Sequence, residues 1–192
     1  MGSRWAATVV AGLITLFVAS LPNAASAHLD QLAQATSEPE LELEVDTAAA
    51  EPERLRRQAE ERLRRGVLAR QLGDLAAASA DFVAAQEIFN RLDDPAGEAS
   101  ALLALGQLDL ERQEYDYAMS SLDQARHLFR QRGDRIGEAD SLVGLAELER
   151  ETGEPDLAAR DFEMAAALYD AAGETDRAAW ALDQAAGLPV AE

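Results

Sequence analysis

The chain of 192 residues is long enough for one domain and a tail. It has no Cys and only two His, His28 and His127, which excludes a disulfide framework, a thiolate nucleophile and a Cys-based metal centre, and leaves little for a Ser/His/Asp triad. Its 17 basic residues are all Arg and stand against 36 acidic ones; the resulting net charge of −19 repels phosphate backbones, and no nucleic-acid partner is expected.

The N-terminus reads as an address. Met1 to Arg4 brings one positive charge, Trp5 to Leu21 is uncharged and mostly apolar, and Pro22-Asn23 leads to Ala25-Ser26-Ala27, an A-x-A cleavage signal. This is the layout of a secretory signal peptide over residues 1–27, and the protein is expected to be exported, periplasmic or secreted. The alternative is an uncleaved anchor over residues 5–21, because a run of about 17 apolar residues is the lower limit for spanning a bilayer. Contact with a membrane is expected only in that case.

Residues 28–53 follow with eight acidic residues and no basic one, punctuated by Pro39 and Pro52. High net charge without an apolar helical stripe predicts a disordered linker.

From residue 54 the chain repeats at a step of 40. Gly66, Gly106 and Ala146 share one column; Gly73, Gln113 and Gly153 share another. Ala78, Ala118 and Ala158 recur, as do Phe82, Leu122 and Phe162, Ala85, Ala125 and Ala165, Ala99, Ala139 and Ala179, and Leu102, Leu142 and Leu182. Ala makes up about a fifth of the chain while aromatics are 5%, a balance that favours close-packed helices. Within each unit, spacings of three and four predict two helices. Asp94 before Pro95 reads as an N-cap and first helical residue, and Gly133 as a terminator. The small residues at 66, 106 and 146 would let the two helices approach, with Phe82, Leu122 and Phe162 filling the space between units. Units 54–93, 94–133 and 134–173 follow from the step, with a capping helix within 174–188 and a tail at 189–192.

Leu105-Gly106 with Ala118, Leu122 and Ala125, and Leu145-Ala146 with Gly153, Ala158, Phe162 and Ala165, resemble the tetratricopeptide repeat (TPR) family. The first unit matches through Gly66, Gly73, Ala78, Phe82 and Ala85. The family's early Trp position holds Arg62, Leu102 and Leu142, and its Tyr position holds Ala69, Asp109 and Glu149. The step of 40, against about 34 in the usual repeat, resembles the longer-helix variety. The resemblance implies an all-α, right-handed superhelical solenoid of three helix hairpins plus a C-terminal capping helix. An array of the HEAT or armadillo kind has a similar period and is the alternative fold.

The resemblance also implies where a partner sits. First helices of TPR units line a concave groove, which here assigns Leu63, Arg64, Val67 and Arg70 from unit one, Leu103, Gln107, Leu110 and Glu111 from unit two, and Val143, Glu147 and Arg150 from unit three. A protein or peptide partner, held as an extended segment or short helix, fits that mixture. For Leu103 and Leu110, packing between helices is the competing role. The Lys and Asn that clasp a C-terminal carboxylate in the family's chaperone-tail binders have Leu63, Arg64 and Val67 in their place. No cofactor or metal is expected, and no catalytic constellation is read: G-x-x-x-x-G-K-[ST], G-x-S-x-G and H-E-x-x-H are all missing. The function expected is therefore a non-catalytic binding scaffold, with a membrane-anchored assembly factor or a small-molecule binder or enzyme lacking a recognisable motif as alternatives.

Charge is also segregated along the chain. Residues 54–70 hold seven Arg and two Glu, net +5, whereas residues 114–192 hold seven Arg and eighteen acids, net −11. Salt-sensitive self-association, basic end to acidic end, is one consequence to test. The signal-peptide reading has its own check: N-terminal sequencing of the protein from an exporting host should begin at His28, and an intact mass that includes residues 1–27 would refute cleavage.

Overall fold

A tight turn recurs every 20 residues along the chain, at Gly73, Asp93, Gln113, Gly133, Gly153 and Gly173, and each of these six residues has a positive φ, between 50° and 86°. The computed structural model describes residues 38–189, with side chains from Ala50 onward. The signal-peptide assignment, residues 28–37 of the linker and residues 190–192 of the tail lie outside the described residues. Two units divide the chain, residues 1–51 and 52–192. All the turns lie in the second unit; of the first, only the start of the first helix is described.

The described residues form seven α-helices and no strand: α1 Glu38–Gln71, α2 Leu75–Arg91, α3 Pro95–Glu111, α4 Tyr115–Arg132, α5 Arg135–Thr152, α6 Pro155–Ala172 and α7 Thr175–Ala186. Each helix from α2 onward packs on the next, and α1 packs on α2 through Ala59, Leu63 and Gly66. The architecture is all-helical and built from consecutive neighbours.

The first helix reaches into the stretch read as a linker. Helix α1 begins at Glu38, so residues 38–53 of the expected disordered linker are helical, with Pro52 inside the helix. Glu and Ala, which make up nine of these sixteen residues, are good helix formers, and Pro52 removes one backbone hydrogen bond without ending the helix.

The turns work alike. After each positive-φ residue the next backbone N–H reaches back to a carbonyl five residues earlier: Asp74 to Ala69 (2.9 Å), Asp94 to Phe89 (3.0 Å), Glu114 to Asp109 (2.8 Å), Asp134 to Phe129 (3.0 Å), Glu154 to Glu149 (2.8 Å) and Glu174 to Tyr169 (2.8 Å). This is the Schellman closure, which satisfies the last carbonyls of one helix. The same residue then starts the next helix. The Asp74, Asp94 and Asp134 side chains accept from the N–H groups of Ala77, of Ala96 and Gly97, and of Gly137 respectively.

Packing inside a hairpin sets a large residue against a missing side chain. A Cβ on Gly66 would fall 2.5 Å from Phe82 Cε1, and one on Gly106 would fall 2.6 Å from Leu122 Cγ. In the third hairpin Ala146 takes that place, in one cluster with Ala158 and Phe162. Between hairpins the plan repeats. Gly97 of α3 lies under the ring of Phe89 of α2, and Gly137 of α5 lies under Phe129 of α4.

The corresponding place on α7 is Arg177, not Gly. Its guanidinium stacks 4.2 Å from the centre of the Tyr169 ring, while Arg177 and the Tyr169 hydroxyl both donate to the Asp140 carboxylate. Burial and the adjacent Asp140 carboxylate push the Tyr169 hydroxyl well above its ordinary pKa. The clamp fixes the last helix on α5 and α6 together.

Substituting Gly97 tests the inter-hairpin contact. Gly97→Ala gains up to about 1 kcal/mol of helix propensity, but a methyl group must displace Phe89, which is only 3% exposed, and overpacking costs about 1–3 kcal/mol. The expected net result in urea unfolding is destabilisation. Phe89→Leu in the Gly97→Ala background should recover part of the loss by vacating ring volume, whereas Gly97→Ala alone proving stabilising would refute the contact.

Candidate functional site

Three helices, α1, α3 and α5, send residues to one open cleft of about 330 Å³, lined by Arg70, Gln107, Leu110, Glu111, Val143, Gly144, Glu147 and Glu151. These are the first helices of the three hairpins. They meet there because each second helix lies to the other side, and because Gly144 lets α5 come close to α4: a Cβ on Gly144 would lie 2.7 Å from Leu122 Cδ2.

Arg70 reaches from α1 to α3. Its Nη1 donates to Gln107 Oε1 at 2.9 Å, and its Nε lies 3.7 Å from Glu111 Oε1. The far wall is acidic. Glu151 accepts from the Tyr115 hydroxyl at 3.2 Å. Burial, reinforced by Glu151 and opposed by Arg150, raises the pKa of Glu147. One Arg against three Glu, over a floor of Leu110 and Val143, makes a surface that favours a cationic, partly aliphatic guest.

Of the residues assigned from sequence, Arg70, Gln107, Leu110, Glu111, Val143 and Glu147 lie together in this cleft. Leu110 is itself buried among Ala118, Leu122, Leu145 and Leu148, so only part of it faces the opening. Leu63 and Leu103 pack between helices. Arg64 and Val67 are exposed on α1 outside the cleft, and Arg150 donates to Gln184 Oε1 of α7 at 3.4 Å. Gly144 and Glu151 were missed. The step of 40 carried a signal for Glu151, which stands in register with Glu111.

A second open pocket, about 370 Å³, lies between α3 and α4 and is lined by Glu98, Leu102, Asp123, Gln124, His127 and Leu128. His127 is exposed, its Nε2 2.8 Å from Gln131 Nε2. No group of three His, Cys, Asp or Glu among the described residues is arranged to hold a metal ion.

Two carboxylates, Glu149 of α5 and Asp161 of α6, lie close enough to interact. Asp81 of the first hairpin is buried and doubly paired, to Arg62 Nη1 at 2.8 Å and Arg65 Nη2 at 3.2 Å. Asp161 occupies the same register in the third hairpin, equally buried, but the register of those two arginines now holds Leu142 and Leu145. Its ion pair is with the neighbouring Arg160, 3.3 Å away and largely solvated. Glu149 faces it, with Oε2 buried and without a hydrogen-bond partner. Burial first, then Asp161 and Glu154, push Glu149 up to about 7, against the pull of Arg160 and Arg126. Burial likewise raises Asp109, the same position one unit earlier.

No family model and no curated protein matches this chain.

The Glu149 shift has a definite sign. The folded protein holds this proton more tightly than the unfolded chain does, so stability is fully present below about pH 4.5 and is lost as pH rises through about 7. Glu149→Gln should therefore raise the unfolding free energy at pH 8, by on the order of 1 kcal/mol after solvent screening, and change it little at pH 4.5. Equal effects at both pH values would show that Glu149 titrates normally.

Proposed function

We propose that the protein is an exported, TPR-type scaffold: three helix hairpins and a capping helix wound into a right-handed superhelix, holding a peptide or helix of a partner protein in the cleft formed by α1, α3 and α5, without catalysis. The observation that carries this reading is that side chains from the first helix of all three hairpins converge on one opening. In a stack of hairpins, each unit then offers a few contacts to a guest lying across them. Helices of near-equal length, 17 residues in α2 and α3 and 18 in α4, α5 and α6, support paired units of the TPR kind over the three-helix units of an armadillo array.

The binding mode follows from the lining. Leu110 and Val143 would take an aliphatic side chain of the guest. Glu111, Glu147 and Glu151 would take its cationic groups, and Arg70 with Gln107 would contact its backbone carbonyls. Partly desolvated carboxylates are strong acceptors for such charges, and Glu147, raised by burial, gains most from a cation.

Screening a peptide display library against the purified protein tests the reading. Enriched sequences should carry Lys or Arg beside an aliphatic residue. Glu147→Arg should weaken the best binder at least tenfold, a loss of about 1.4 kcal/mol or more, without moving the melting temperature. Enrichment of acidic peptides, or binders indifferent to Glu147→Arg and Arg70→Glu alike, would refute the cleft as the binding site.

A further inference from the structure

The 40-residue register shows that, among the described residues, two helix faces lack the neighbours found at the equivalent positions of the other units. Leu108 of α3 and Leu148 of α5 are buried, 0% and 2% exposed, against the second helix of the hairpin before. Leu68 holds that position in α1 and is 55% exposed. At the other end, Leu102 and Leu142, 5% and 0% exposed, pack on the second helix of their own hairpin. Leu182 holds that position in α7 and is 53% exposed, with Ala179 and Ala186 exposed on the same stripe although Ala99, Ala139, Gly106 and Ala146 at their positions are buried. Among the described residues, no helix covers Leu68 on α1 or the Leu182 stripe on α7.

We propose that these two faces cover each other: the α1 face of one copy of this chain docks on the α7 face of the next. Charge selects this pairing. Arg57 and Arg64 lie on the Leu68 stripe of α1, with Glu61 between them, and both are exposed and make no ion pair among the described residues. Asp176 and Asp183 edge the Leu182 stripe of α7 and are likewise exposed and unpaired among the described residues. The wider regions agree, net +5 over residues 54–70 and net −11 over 114–192. Pairing α7 with α7 would set the four aspartates of two copies against each other, and α1 with α1 would do the same for the arginines. Head-to-tail contact alone brings opposite charges together around Leu68 of one copy and the Leu182 stripe of the next.

Such a contact is heterologous. It leaves one open face of each kind at the ends of an assembly, which therefore grows with concentration into rings or short filaments. It does not use the cleft residues and stands independently of the function proposed for them.

Sedimentation velocity on the purified protein decides the matter. Wild type at low ionic strength should gain mass with concentration and return to a single chain at about 1 M salt, where charges are screened within about 3 Å. Two variants each block one face: Arg57→Glu with Arg64→Glu at the head, and Leu182→Glu at the tail. All three positions are exposed, so circular dichroism and melting should match wild type. Each variant by itself should sediment as one chain, and their equimolar mixture should give a species of doubled mass and nothing larger. A wild type that stays monomeric, either variant self-associating without the other, or a mixture that stays monomeric while wild type assembles, would overturn the proposal.

Discussion

A bulky side chain on each second helix needs the facing helix to give up its own. Phe82 lies where a Cβ on Gly66 would be, Leu122 where one on Gly106 would be, and Phe162 packs on Ala146 with Ala158. The same exchange joins one hairpin to the next, Phe89 over Gly97 and Phe129 over Gly137. At the four glycines a methyl group would have to displace the facing Phe or Leu, whereas the third hairpin accommodates the methyl of Ala146. The distances between helices, and with them the cleft that opens between α1, α3 and α5, follow from this pairing of large with absent.

The turns keep the exchange in step. A positive-φ residue, a backward backbone hydrogen bond and a following acidic residue recur at every twentieth position. Two of the six positive-φ residues are Asp93 and Gln113, where a left-handed conformation costs an L-residue about 1–2 kcal/mol. That they hold the conformation shows that helix packing on either side sets it, with glycine merely making it cheap at the other four.

Charge is handled less uniformly than packing. The buried Asp81 keeps two arginines, while Asp161 in the same register has exchanged both for the apolar partners that α5 uses to bury itself. The acid stays, and Glu149 beside it, raised first by burial and then by Asp161, holds its proton to about pH 7. Repetition copies positions, but a copied acid is comfortable only where its cations are copied too.

The amino-acid pattern alone determined the helical class, the step of 40, the turns and the small-on-large columns, because these are local or periodic properties that survive in one dimension. Most of the cleft was also placed in advance, through the TPR resemblance, which assigns Arg70, Gln107, Leu110, Glu111, Val143 and Glu147 to the face of the first helices. It could not tell Leu63 and Leu103, which go into the core, from neighbours that face the opening. Three and four residues apart they share a face, and only the rotation of each helix against its partners divides core from cleft. Nor could it separate Leu68 from Leu108, or Leu182 from Leu142, which are the same residue at the same step. Whether such a leucine is buried depends on whether a second helix lies against it, and that is decided by the neighbours of each helix in space.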